Sequence, residues 1–267
     1  MTASVPDRSF REYSWSGEAE RHIDEPFVTR CGSVVVGLYG GSSQAGQTKN
    51  EDGAVVWASD QWEFAMLLDG HASSESVAAL QDIILRARPE ILAALDSGDL
   101  WRVNQVLVSA LQNPEAKRRL SSVRGESAVL ICARSGNYLS WFAVGDNLVF
   151  LLHDELSAMG QYALNQRQFY EWVGEVNTFA GSIPALTQGV RELRQGENRI
   201  LMITDGLLEY SGSPFTDGSF VASHFSECNE MTVETALRLV HEARGYDSAT
   251  IIGWSYLNHE PAARPTE

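Results

Sequence analysis

Five short acidic motifs sit at the ends of apolar runs in this chain: Asn50-Glu51-Asp52-Gly53, Asp69-Gly70-His71, Gly145-Asp146, Thr204-Asp205-Gly206 and Asp247-Ser248-Ala249-Thr250. Four of them adjoin stretches that read as buried strands, such as Phe64-Ala65-Met66-Leu67-Leu68. A carboxylate at the end of a core strand is held rigidly while it points away from the core. Several such ends brought together make an anionic pocket that repels itself. Hard oxygen ligands of this kind suit Mg²⁺ or Mn²⁺, so the pattern points to a site for two divalent cations and to hydrolytic chemistry. Taken singly, Asp-Gly and Gly-Asp are ordinary turn dipeptides. Only the ordered set carries weight.

The elements that must hold these residues can be read from the hydrophobic pattern. Strands are expected over 33–39, 54–58, 62–68, 127–133, 138–144, 147–152, 199–204 and 250–254, where β-branched and apolar residues run between Gly, Ser and Asn turns. Helical spacing begins at Ser74, with Val77, Leu80, Ile83, Ile84, Ile91 and Leu92 on one face, and Pro89 is placed to break or kink that helix. Further helices are expected over 100–111 and 233–243. Strands and helices come in blocks, which suits an α+β fold with antiparallel sheets and helices packed outside them, not a doubly wound parallel sheet. The stretch 1–26 reads as a charged N-terminal extension, although Phe10, Tyr13 and Trp15 could dock on the body. One domain is expected over 27–257, followed by a polar tail, 258–267, that frays.

Composition narrows the function. The 267 residues are 44% apolar and 21% charged, enough for a full core without disulfide staples. A formal charge of −15 argues against nucleic acid or an anionic membrane as partner. The three cysteines, Cys31, Cys132 and Cys228, form no CxxC pair, which excludes a zinc ribbon and a redox dithiol. No run approaches a membrane span, and the N-terminus has no apolar signal segment, so a cytoplasmic protein is expected. Gly41 to Thr48 imitates a phosphate-binding P-loop, but Gln47 stands where the lysine belongs and a strand follows instead of a helix. Histidines 22, 153, 224, 241 and 259 lack metal-ligand spacing and are expected at the surface.

With its motifs in order, the chain resembles the metal-dependent protein Ser/Thr phosphatases of the PP2C (PPM) type. The resemblance runs from about Val34 to Trp254 through Asn50-Glu51-Asp52, Leu68-Asp69-Gly70-His71, Gly125-Glu126-Ser127-Ala128, Val144-Gly145-Asp146, Thr204-Asp205-Gly206-Leu207 and Asp247-Ser248-Ala249-Thr250. It implies two packed antiparallel sheets flanked by helices on both outer faces, with Mn²⁺ or Mg²⁺ at one end activating a water. It implies that Asp69 bridges two ions and that the Gly70 carbonyl adds a ligand. Asp205 and Asp247 would hold one ion and Glu51 would reach the other through water. Asp52 would complete the metal residues by supporting them from nearby, and Asp146 would contribute to a third, weaker site. It also implies that His71 protonates the leaving seryl or threonyl oxygen of a phosphorylated protein. The family's phosphate-clamping arginine, four residues before the Glu of Asn-Glu-Asp, is Gln47 here. Lys49 is close enough to substitute as a point charge. The stretch 161–190, where relatives carry a flap, matches no pattern.

Overall fold

The computed structural model of the chain describes residues 10–264. Twelve strands follow in the order β1 (Arg11–Ser16), β2 (Phe27–Cys31), β3 (Val34–Tyr39), β4 (Gly53–Ala58), β5 (Trp62–His71), β6 (Glu126–Ser135), β7 (Tyr138–Val144), β8 (Leu148–Leu152), β9 (Val173–Gly174), β10 (Thr187–Glu192), β11 (Gly196–Ile203) and β12 (Ala249–Asn258). Helices α1 (Glu75–Asp96), α2 (Leu100–Gln112) and α3 (Pro114–Leu120) lie between β5 and β6, and α4 (Asp154–Ala158) follows β8. Helices α5 (Gly206–Glu209), α6 (Gly218–His224) and α7 (Glu230–Glu242) lie between β11 and β12.

Every strand pair is antiparallel. One sheet runs β1-β4-β5-β6-β7-β10, with β9 paired to β6, and the other runs β2-β3-β12-β11-β8. The α+β sandwich expected from the sequence is the one observed. Its central strands are buried on both faces, so they read as unbroken apolar runs. In β5, Ala65 and Leu67 face the second sheet, while Phe64, Met66 and Leu68 pack with Ile83, Ile84, Val103 and Leu107 of α1 and α2. In β3, Val34, Val36 and Leu38 enter the inter-sheet core, and Val35 and Tyr39 join the layer that holds Val233 and Leu237 of α7. Three apolar layers therefore stack, and helices cover both outer faces.

The structure departs from the sequence reading at the edges. Helix α1 continues through Pro89, because burying Ile91, Ala94 and Leu95 beyond it offsets the lost hydrogen bond. Residues Arg11–Ser16, within the stretch set apart as an extension, form the edge strand beside β4. The Gly17 N–H then donates to the Asp52 carbonyl and the Arg21 carbonyl accepts from Asn50 Nδ2, so this stretch braces the Asn50–Asp52 loop. The last described residues are also tied down: the Ala263 N–H donates to Glu192 and Asn258 Nδ2 to the Leu193 carbonyl. His153 is not at the surface. It is buried, and its Nδ1 accepts from the Glu155 N–H to cap α4.

The end of the sandwich away from the acidic motifs is closed by a buried ion pair. Glu63 accepts from Arg134 Nε at 2.6 Å and from Ser33 Oγ of the other sheet at 2.8 Å, and Arg134 lies over the ring of Tyr256. Removing one member would strand the other's charge in the core. Glu63→Ala should therefore lower the unfolding free energy by about 3–5 kcal/mol, read from urea denaturation. A loss within error of zero would show that the pair contributes nothing to holding the sheets together.

Candidate metal centre

Three carboxylates meet at one end of the sandwich. Asp69, Asp146 and Asp205 each place an oxygen within 4.8 Å of the others. Asp69 comes from the end of β5, opposite Ala128 of β6. Asp146 lies in the turn from β7 to β8, and Asp205 follows β11 as the cap residue of α5. Asp146, which the resemblance assigns to a third, weaker site, is one of the three that come together. Its Oδ1 is buried and has no hydrogen-bond partner. A buried anionic oxygen without a donor is costly.

The Asp-Gly pairs are not turns. Gly70 lies within β5, where a Cβ would overlap the Glu51 carbonyl oxygen, and Gly206 opens α5, where a Cβ would overlap the Ser248 carbonyl oxygen. The two glycines thus let the Glu51 and Asp247 segments close on Asp69 and Asp205. Glu51 is mostly buried and pairs with Lys49 Nζ at 2.6 Å. Asp247 sits at the rim, its Oδ1 accepting from its own Ser248 N–H.

Asp52 is placed differently from a direct ligand. It is fully buried, with Oδ1 accepting from Ser248 Oγ at 2.8 Å and Oδ2 from Thr250 Oγ1 at 2.6 Å. Thr204 Oγ1 also reaches Oδ2, at 3.5 Å. The carboxylate fastens the ends of β11 and β12 behind the group. Gln47 does not face the group either. It is buried, and its Oε1 turns back to accept from the Thr48 and Lys49 N–H groups. His71 ends β5 exposed, with its ring 5.8 Å from that of Trp172. Ala72 after it holds a left-handed φ of 69°, a conformation that costs a residue with a Cβ about 1–2 kcal/mol.

Arg167 was missed by the sequence reading. Its Nη2 lies 3.2 Å from Asp146 Oδ2, 3.6 Å from Asp205 Oδ2 and 2.6 Å from Glu209 Oε1. Side-chain and backbone bonds place it there. Asn165 accepts from the Val149 N–H and donates to the Asn147 carbonyl, and the Gln168 N–H donates to the Gly145 carbonyl. An Asn and a Gln flanking one Arg inside a polar stretch carry no periodic signal, so composition could not single it out.

Crowding shifts the acids. Burial and then the Asp205 charge push Asp69 well above the usual carboxylate range. Burial, then Asp247 and Asp146, raise Asp205 to about 8. Burial raises Asp52 to about 7 against the pull of the Thr250 and Ser248 hydroxyls, and burial also raises Asp247. An oxygen-rich donor set with an orphaned carboxylate oxygen and acids held against ionisation fits a hard divalent cation. Asp69, Asp146 and Asp205 are the residues placed to hold one, with Asp247 and Glu51 at the margin.

No protein-family model and no curated protein matches the chain. Solved structures do. RsbX in complex with magnesium superposes with a TM-score of 0.57 at 14% identity, over 86% of this chain and 100% of that one. The catalytic domain of the serine/threonine phosphatase PstP in complex with two manganese ions gives 0.52 at 18% identity, over 92% and 98%. PppA, a regulatory component of the type VI secretion system in Pseudomonas aeruginosa, gives 0.56 at 15% identity, over 93% and 98%.

An acid raised on folding binds more protons folded than unfolded, so its contribution to stability is full below the unfolded pKa and is lost as pH rises through the folded one. Without metal, the melting temperature should therefore fall as pH rises from about 6 to about 8, the range in which Asp52 and Asp205 ionise. Saturating Mn²⁺ should raise it more at the upper end. Thermal melts in chelator and in Mn²⁺ measure both, and a metal-free melting temperature that climbs across this range would contradict the electrostatic account. At the level of architecture, the chain has the fold of the PP2C-type serine/threonine phosphatases.

Proposed function

We propose that this chain is a Mn²⁺- or Mg²⁺-dependent phosphoprotein phosphatase that hydrolyses phosphoserine and phosphothreonine. The observation that carries this reading is the convergence of Asp69, Asp146 and Asp205 from three separate strand ends within 4.8 Å, at one end of a PP2C-type sandwich. Divalent cations bound there would supply charge neutralisation on the phosphoryl oxygens and a water acidified to near neutral pH. The chain's own residues would do the remaining work. Asp69, Asp146 and Asp205 would hold the cations, Asp52 would keep the ends of β11 and β12 in register behind them, and Glu51 and Asp247 would add charge at the margin. His71, at the exposed end of β5, would hand a proton to the departing seryl or threonyl oxygen. The partner is then a phosphorylated protein and the setting is cytoplasmic signalling.

A second reading has its own observation. Gln47 is folded onto its own backbone and Lys49 is tied to Glu51, so neither presents a free cation to phosphate. That favours a catalytically weak, phosphoprotein-binding module on the same fold. Hydrolysis of a phosphothreonine peptide with and without Mn²⁺, beside a small phosphoester, separates the two. The phosphatase reading expects Mn²⁺-dependent release of phosphate, with the peptide preferred. Peptide binding without turnover supports the module.

Asp69→Asn should abolish turnover and weaken Mn²⁺ binding by calorimetry, because a neutral amide cannot replace a carboxylate between cations; near-normal turnover in saturating Mn²⁺ would sink the metal assignment. Asp205→Asn and Asp247→Asn should be strongly non-additive when combined, as residues of one site act as a unit. Full additivity in the double-mutant cycle would place them at separate sites.

A further inference from the structure

We propose that Arg167 is the phosphate-binding cation of this site, taking the phosphoryl oxygens of a phosphorylated protein side chain in place of the arginine that Gln47 replaces. This rests on the phosphatase reading above. The two basic or polar candidates in the Asn-Glu-Asp loop offer a dianion little: Gln47 carries no charge, and Lys49 is paired to Glu51. Gln47 is buried with its carbonyl oxygen satisfied by Thr48 and Lys49 N–H groups, and Lys49 Nζ sits 2.6 Å from Glu51. Among the described residues, Arg167 is the one basic side chain ion-paired to this group, through Asp146 and Asp205.

Its placement is built, and its donors other than those on Nη2 are uncommitted. Asn165 and Gln168 fasten the backbone on either side of it to the Asn147, Val149 and Gly145 backbone, and its guanidinium lies 4.6 Å from the Phe169 ring. Both of its hydrogen bonds leave through Nη2, to Asp146 and Glu209, while Nε is buried with no partner. A guanidinium carries five N–H donors in a planar fork suited to two phosphoryl oxygens at once. Here one nitrogen serves three carboxylates and the rest of the fork is unspent. Two of those carboxylates, Asp146 and Asp205, are the ones placed to hold cations. Cations on them would weaken their pull on Nη2, leaving Glu209 as tether and the rest of the fork for an incoming dianion. Arg167 also lines a cleft of about 550 Å³, walled by Leu148, Phe150, Tyr162, Leu208 and Phe215 and not by the three carboxylates.

The test uses the Mn²⁺-loaded full chain as wild type, Arg167→Gln and Arg167→Lys, with circular dichroism to show that each is folded. Inorganic phosphate binding and Mn²⁺ binding are measured by calorimetry, and KM and kcat with a phosphothreonine peptide. Arg167→Gln should weaken phosphate binding about tenfold or more, the cost of losing charge-assisted hydrogen bonds. Arg167→Lys should weaken it less, because it keeps the charge and loses the fork. KM should rise more than kcat falls, since the contact exists in both ground and transition states, and Mn²⁺ affinity should hold or tighten. Phosphate binding unchanged in Arg167→Gln, with tighter Mn²⁺ binding, would overturn the proposal and leave Arg167 as a counter-ion to the acids alone. A Mn²⁺-loaded wild type that binds no phosphate would overturn it too. A wild type that binds phosphate through Arg167 yet releases none from the peptide would refute the phosphatase reading and leave this assignment standing.

Discussion

Carboxylates that cannot all ionise are the constraint on which the rest of this structure depends. With oxygens of Asp69, Asp146 and Asp205 within 4.8 Å, each ionised pair repels by at least about 3 kcal/mol at an effective dielectric of about 20. That is several times thermal energy, and three such pairs rival the net stability of a typical domain. The group therefore either keeps protons well above the ordinary carboxylate range or finds positive charge. Asp69, Asp205 and Asp247 follow the first course, pushed upward by burial first and by neighbouring carboxylates after it. A cation with hard oxygen preference is the second.

Holding such a group together requires a scaffold that does not relax away from it. The sandwich provides one because its central strands are buried on both faces, which leaves their ends no freedom to splay. Local devices then bring the loops in. Gly70 and Gly206 permit backbone approaches that any Cβ would block, and Asp52 gathers hydroxyls of Thr204, Ser248 and Thr250 behind the group. The same carboxylate that reads as a ligand by its neighbours in sequence acts as a bracket, because the two loops nearest it both present hydroxyls.

What was legible in the residues follows from this division. Strands buried on both faces announce themselves as unbroken apolar runs, and a carboxylate at the end of such a run is conspicuous; Asp69 and Asp205 are visible for that reason. Edge elements are not. Arg11–Ser16 and Thr187–Glu192 are polar on their open faces and become strands only through a partner found far along the chain. That Asp146 stands near Asp69 and Asp205 could not be read from its Gly-Asp turn, which looks the same whether or not two other acids stand opposite. The stretch around Arg167 was opaque because it is held by Asn165 and Gln168 bonding to backbone, an arrangement with no period to detect. For Gln47 the position in the motif was clear, but the bonds its Oε1 accepts from the Thr48 and Lys49 N–H groups carry no sequence signal.

The charge balance is the physical argument against reading Arg167 as a counter-ion alone. Glu51, Asp52, Asp69, Asp146, Asp205, Glu209 and Asp247 act on one another across this end of the sandwich, and the basic side chains ion-paired to them are Lys49 and Arg167. One of those two, Lys49, is spent on Glu51 at the edge. A single guanidinium bonding through one nitrogen cannot neutralise what remains, so the resting arrangement stays deficient in positive charge. An arginine that served only to quiet the acids would be expected to spread its fork over them, yet this one leaves Nε buried and unmatched. Its fit to the acids is poor and its attachment to the flanking backbone is good. That combination belongs to a group whose better acceptor arrives from outside, once cations have taken the carboxylates it now shares.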